Sequence, residues 1–161
     1  MEEESNREKA NEYFQKAYKL QVSGFLEEAI KNYKTSIELY PTAEAHTFLG
    51  WTYSFMGLYQ QAIEECKKAI EVDPDFGNPY NDIGAYLIEM EHFEEAIPWL
   101  QQAKRAKRYE ARHFPYHNLG RVYERLGEWK KAVEEYTGAL RIFPEYEAAK
   151  HSLIRIQSMM N

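Results

Sequence analysis

His113 and His117 stand four residues apart with Pro115 between them. Two imidazoles at that spacing on a helix could share a metal ion. The proline marks a helix start, however, and no third ligand follows at useful spacing, so no metal is expected. Cys66 is the single cysteine and cannot form an internal disulfide; it reads as a small, buried, unreactive side chain. The carboxylate pairs Glu64-Glu65, Glu94-Glu95 and Glu134-Glu135 recur near the starts of helices. They suit the positive end of a helix dipole on a solvated face better than an acid and base pair. His46 and His92 are expected to be exposed. Lys104, Arg105, Lys107, Arg108 and Arg112 crowd one connection, which reads as a solvated helix end, since no glycine-rich phosphate cradle accompanies it. No nucleophile elbow, His-Glu-x-x-His, Walker loop or dinucleotide fingerprint is present, so neither an enzyme nor a cofactor is expected.

The elements that carry these residues follow a period. In 43–76, apolar residues recur at three and four from Ala43 to Met56 and again from Tyr59 to Val72, with Gly57 as the stop between them. Two amphipathic helices joined by so short a turn cannot bury their apolar faces alone, and copies are required. Gly24, Gly57 and Gly127 end a first helix in three copies, and Glu91 holds that place in the third. Ala29, Ala62, Ala96 and Ala132 follow five residues later, then Ser36, Ala69, Ala103 and Ala139. Pro41, Pro74 and Pro144 close three copies, and Arg108 replaces the proline in the other. The copies start at Ala10, Ala43, Gly77 and His113, a spacing of 33, 34 and 36 residues.

Helices are expected from about Glu4 to Val22, Leu26 to Leu39 and Phe93 to Lys107. Pro79 and Pro115 suit helix starts, and Pro98 is expected to bend its helix mildly. After Pro144 one more helix with no partner is expected as a cap over 146–159, with Ala148, Leu153, Ile154 and Met159 covering the end of the stack.

This pattern resembles the tetratricopeptide repeat family. The second copy matches its motif at Leu49, Gly50, Tyr53, Ala62, Ala69 and Pro74, and the fourth at Tyr116, Leu119, Gly120, Tyr123, Ala132, Tyr136, Ala139 and Pro144. The first departs at Lys16 and Ala17, and the third lacks the turn glycine and the closing proline. The resemblance implies an all-α, right-handed α-solenoid of four helix-turn-helix repeats plus a C-terminal capping helix. That is one domain over 1–161, with repeats at about 10–42, 43–76, 77–110 and 113–146.

It also implies a concave groove lined by the first helix of each repeat. The stripe expected to face it runs through Asn11, Phe14, Tyr18, Gln21 and Val22, then Glu44, Thr47, Trp51, Ser54 and Phe55. It continues through Asn78 and Asn81 to His117, Arg121, Glu124 and Arg125, and the cap adds His151 and Arg155. Phe14, Tyr18, Trp51 and Phe55 would take apolar side chains, Asn78 and Asn81 would bond a peptide backbone, and the cationic end would take acidic residues. Chaperone-binding members of the family hold a C-terminal carboxylate with Lys, Arg and Asn; the matching Phe14, Tyr18, Phe48, Asn78 and Asp82 include no cation.

The formal net charge of -6 argues against nucleic acid as a partner. The N-terminal run has no apolar stretch, so no signal peptide or membrane span is expected and a cytoplasmic protein is the default. The sequence thus predicts a non-catalytic scaffold that binds a peptide segment of another protein. The rival expectation is a homo-oligomer in which the cap or N-terminal helix fills a neighbour's groove.

Overall fold

The computed structural model describes residues 1–161 and contains nine α-helices and no strand. Its contacts divide the chain into two compact units, Met1–Pro79 and Tyr80–Asn161.

The first unit holds α1 (Glu2–Val22), α2 (Leu26–Leu39), α3 (Ala43–Phe55) and α4 (Tyr59–Val72), and ends in the first turn of α5 (Asn78–Glu89). Three glutamates in the first turn of α1 face the positive helix end. Thr42 caps α3 by accepting from the Ala45 N–H at 3.1 Å. The second unit holds the rest of α5 with α6 (Phe93–Arg105), α7 (His113–Arg125), α8 (Trp129–Ile142) and α9 (Glu147–Met160).

All four hairpin turns close in the same way. Gly24, Gly57 and Gly127 have φ of 88°, 74° and 76°. In each, the next residue's N–H reaches back to a carbonyl five residues earlier: Phe25 to Leu20, Leu58 to Tyr53 and Glu128 to Tyr123. This Schellman geometry places the turn residue in the left-handed region, where glycine meets no steric penalty. Glu91 makes the same turn with φ 60°, and His92 donates to Leu87 at 2.8 Å. The third copy therefore keeps the turn without the glycine, at a backbone cost.

Within each hairpin, one small residue on the first helix meets one side chain of the second. A methyl group on Gly120 would overlap the Tyr136 ring, and one on Gly84 would overlap Leu100. On Gly50 it would lie 2.9 Å from the Ala62 carbonyl oxygen and 3.3 Å from Cys66 Sγ. Tyr33, Cys66, Leu100 and Tyr136 are all fully buried. The repeat thus exchanges Tyr, Cys and Leu at one place while the backbones stay close.

Several expectations need correcting. α6 ends at Arg105, short of Lys107, because Arg112 donates to the carbonyls of Lys104 (2.7 Å) and Ala106 (2.5 Å) and so caps the helix from beyond its end. Arg105, Lys107 and Arg108 of the basic connection are exposed, as a solvated helix end requires, but Lys104 and Arg112 are not. Lys104 is largely buried, pairs with Glu135 at 2.7 Å and lies 4.0 Å from the Tyr116 ring centroid. His46 is buried, with Nδ1 2.8 Å from Glu65, whose other oxygen accepts from Lys68 at 3.0 Å. Burial alone would raise the Glu65 carboxyl, but these two partners leave it below its ordinary value. Of the three acidic pairs only Glu94-Glu95 lies in a first turn, as expected; Glu64-Glu65 and Glu134-Glu135 lie in mid-helix, where Glu65 and Glu135 are drawn into packing by His46 and Lys104. Finally, the inward face of α9 is Ala149, Ser152 and Ile156 with Leu153 beside them, whereas Ala148, Ile154 and Met159 face solvent.

Candidate functional site

In the first unit, α1 and α3 present a row of aromatic rings whose centre is Phe48. Its ring lies edge-on to Phe14 (5.4 Å), Tyr18 (5.8 Å) and Trp51 (5.7 Å) and stacks on Tyr33 at 6.4 Å. Trp51 continues the row to Phe55 at 5.0 Å. Phe14 also touches Tyr33 and is half-buried, so it props the row from below. Tyr18, Trp51 and Phe55 remain exposed by 40%, 38% and 56%. Rings fixed by ring neighbours on one side and open on the other form an anchor of low conformational freedom. Phe48 was absent from the expected stripe; its place one residue after Thr47 on α3 turns it toward α1, and only ring contacts reveal its part. Asn78, half-buried, opens α5 at the end of this unit.

Beside the row, Gln21 is buried, and its Oε1 accepts from the Tyr33 hydroxyl at 2.6 Å. The Nε2 end of the same amide is also buried and has no partner.

In the second unit the expected polar residues are bonded to one another. Asn81 is buried and accepts from Asn118 at 3.0 Å, and Asn118 accepts from Arg121 at 3.1 Å. Arg121 also lies 3.3 Å from Glu89. Arg125 pairs with Glu91 at 3.0 Å and covers the Phe93 ring at 4.6 Å. Arg155 of α9 reaches both oxygens of Glu124, at 2.6 and 2.7 Å. The cations that the sequence offered as acid-binding anchors are each paired already. Arg121, Arg125, Glu124 and Arg155 line a shallow hollow of about 150 Å³ together with Ile88 and Tyr136.

His117 packs against the rings of Tyr136 (5.5 Å) and Tyr146 (5.3 Å), with Nε2 3.5 Å from Ser152 Oγ. Burial, followed by the charges of Arg121 and Arg155, pushes it down to about 4. His113 is surrounded by Phe114, Phe143 and Tyr146 at 4.3 to 5.0 Å, and burial lowers it as well. Both imidazoles are thus aromatic packing members. His151 is exposed, 3.7 Å from Glu147. No three His, Cys, Asp or Glu side chains converge as a metal site would require. No helix is long and apolar enough to cross a membrane.

Comparison with known proteins agrees with this architecture. Tetratricopeptide repeat profiles match residues 43–76 and 113–146. The type IV pilus assembly protein PilF of Pseudomonas aeruginosa is 28% identical over 120 residues, covering 74% of this chain and 48% of that protein. A solved structure of Pseudomonas aeruginosa PilF superposes with a TM-score of 0.90 at 24% identity, over 97% of this chain and 71% of the other. The crystal structure of MamA gives a TM-score of 0.76 at 29% identity, over 94% of this chain and 82% of that one. Hsp70-Hsp90 organizing protein 3 of Arabidopsis thaliana is 31% identical over 100 residues, covering 62% of this chain and 17% of that protein. The chain spans about half the length of these curated relatives, or less.

Proposed function

The chain belongs to the tetratricopeptide repeat family, an all-α solenoid fold that serves protein interaction, and on that premise we propose that it is a non-catalytic scaffold capturing a peptide segment of another protein. The observation that carries this reading is the open row Tyr18, Trp51 and Phe55, held from behind by Phe48. Exposed rings already fixed in position lose little freedom on binding, so a partner's apolar side chains gain most of their burial energy there.

The arginine face has a secondary role in this reading. Arg121, Arg125 and their glutamates are about half exposed, so each pair contributes at most about 1 kcal/mol. A partner carboxylate can therefore displace Glu89 or Glu91 at small cost and take its guanidinium. Asn81, committed to Asn118, contributes by holding α5 to α7 instead of bonding ligand backbone. The whole of 1–161 is proposed to act as one binding domain. The net charge of -6 disfavours nucleic acid. The buried thiol of Cys66 suits a reducing cytoplasm. Pilus assembly and Hsp70-Hsp90 organising, in the names of the relatives, both describe assembly work. A chaperone-tail clamp is not favoured, because Phe14, Tyr18, Phe48, Asn78 and Asp82 supply no cation.

Affinity capture tests the proposal, comparing the native chain with a Trp51→Ala, Phe55→Ser double variant of unchanged circular dichroism. A partner retained by the native chain and lost by the variant supports it; partners retained by both count against it.

A second reading rests on α9, which leaves Ile154, Met159 and Met160 exposed by 67%, 60% and 46%. Self-assembly through this helix would show as a sedimentation coefficient that rises with concentration and stays constant in an Ile154→Glu variant.

A further inference from the structure

Gln21 and Glu124 hold the same place in the first and fourth repeats, and each accepts from the buried tyrosine of its own hairpin, Tyr33 at 2.6 Å and Tyr136 at 2.9 Å. The two places differ on their other side. Glu124 is completed by Arg155, from the next first-type helix. The residue at Arg155's repeat position after Gln21 is Trp51, which offers no oxygen acceptor. Gln21 keeps one end of its amide satisfied and the other buried without a partner. In the second unit the chain completes this position with its own charge; in the first it leaves the donor without a partner.

We propose that Gln21 is the polar reading point of the aromatic face, and that its free amide end bonds a main-chain peptide group of an uncharged, apolar segment of a partner protein laid across Tyr18, Trp51 and Phe55. This rests on the reading of that face as a peptide site. The chemistry of the occupant follows from the surroundings. Tyr18, Val22, Trp51, Ser54 and Phe55 bring no charge, so a charged side chain would be desolvated there without compensation. The end without a partner is the Nε2 donor, and a backbone carbonyl of the segment is the uncharged acceptor it lacks. The unpaired nitrogen has no open surface in the free chain. Binding therefore includes a small side-chain movement on this face, and the ligand relieves a donor that the free chain leaves unsatisfied.

Gln21→Glu is the appropriate variant, because Glu124 shows that a carboxylate at this place still accepts from its tyrosine. Short peptides are selected from a random displayed library on the native chain, synthesised, and measured by fluorescence polarisation against native, Gln21→Glu and Trp51→Ala proteins. The selected peptides are expected to be uncharged and apolar over the contacting stretch. Gln21→Glu should weaken them about tenfold, the worth of one hydrogen bond, and Trp51→Ala should weaken them further. An ester carbonyl is a poorer acceptor than an amide carbonyl, so a scan that replaces each peptide amide in turn by an ester should find one position that lowers affinity for the native chain and not for Gln21→Glu, the one whose carbonyl takes the Gln21 Nε2 donor. Binding that Trp51→Ala abolishes but Gln21→Glu and every ester leave unchanged overturns this assignment while sparing the peptide site. Binding indifferent to both variants overturns both readings. Selection of charged peptides, or of none, overturns the assignment, as does an ester scan on native protein that lowers affinity at no position, even if a variant fails to fold.

Discussion

Tyr136 donates its buried hydroxyl to Glu124 at 2.9 Å, and the same carboxylate receives Arg155 from the capping helix. One side chain thereby satisfies the core of the fourth hairpin and fastens α9 to α7. Glu124→Ala would take the charged acceptor from the buried Tyr136 hydroxyl, leaving it only weaker neighbours such as Ser152, and remove the partner of Arg155 as well, costing about 1–3 kcal/mol. Arg155→Ala removes only a half-exposed partner and should cost about 0.2–1 kcal/mol. Urea unfolding of the two variants checks the order; equal losses would mean that the tyrosine bond contributes nothing.

Glu91 is the one turn residue of four that is not glycine, and its φ is 60°. Glu91→Gly should stabilise the protein slightly, by at most about 1 kcal/mol, the left-handed penalty less glycine's entropy and the exposed pair with Arg125. A drop in the thermal midpoint would show that the ion pair outweighs the backbone.

Gly50→Ala should destabilise by about 1–3 kcal/mol, because the added carbon meets the Ala62 carbonyl, a backbone atom that cannot rotate away. Calorimetry measures the loss. An unchanged midpoint would mean that α3 and α4 separate freely.

Two groups of the second unit titrate in opposite senses between about pH 4 and 7. His117 is held down to about 4 in the folded chain against its ordinary 6.5, so acid protonates the unfolded chain first and stability falls as pH falls. Burial pushes the Asp82 carboxyl up to about 7, with the Asn81 side chain pulling the other way, although part of the residue meets solvent. The folded chain then takes up this proton first, and stability rises as pH falls from 7 toward 4. The native profile should be shallow, Asp82→Asn should reveal the loss in acid, and His117→Phe should reveal the gain. Each slope should amount to at most about 2 kcal/mol, given the partial exposure of both groups. Parallel profiles for all three proteins would contradict the assignment.

The fold was legible because packing is written into small residues at a fixed period: Gly24, Gly57 and Gly127 demand a left-handed turn, and Gly50 and Gly120 admit a close helix. Side chains whose partners lie in another helix were harder to read. His46 looked exposed until Glu65, nineteen residues on, supplied its partner, and Lys104 looked solvated until Glu135 did the same. Arg112 caps α6 across a connection that carries no periodic signal. The cap was misread by one residue, since Ala148 and Ala149 fit the apolar pattern equally and only docking on α8 selects Ala149. For the candidate site, the aromatic row was visible in the sequence, whereas the pairing of Arg121, Arg125 and Arg155 with Glu89, Glu91 and Glu124 follows from register between repeats.

The chain has three tryptophans, Trp51, Trp99 and Trp129, and their indole N–H signals in a nitrogen-15 correlation spectrum report on three different places. Titration with a captured partner segment should shift or broaden the Trp51 signal and the amides near Tyr18 and Phe55, leaving Trp99 and Trp129 in place. A spectrum in which Trp51 stays fixed while Trp129 moves would contradict the aromatic face of α1 and α3 as the binding surface.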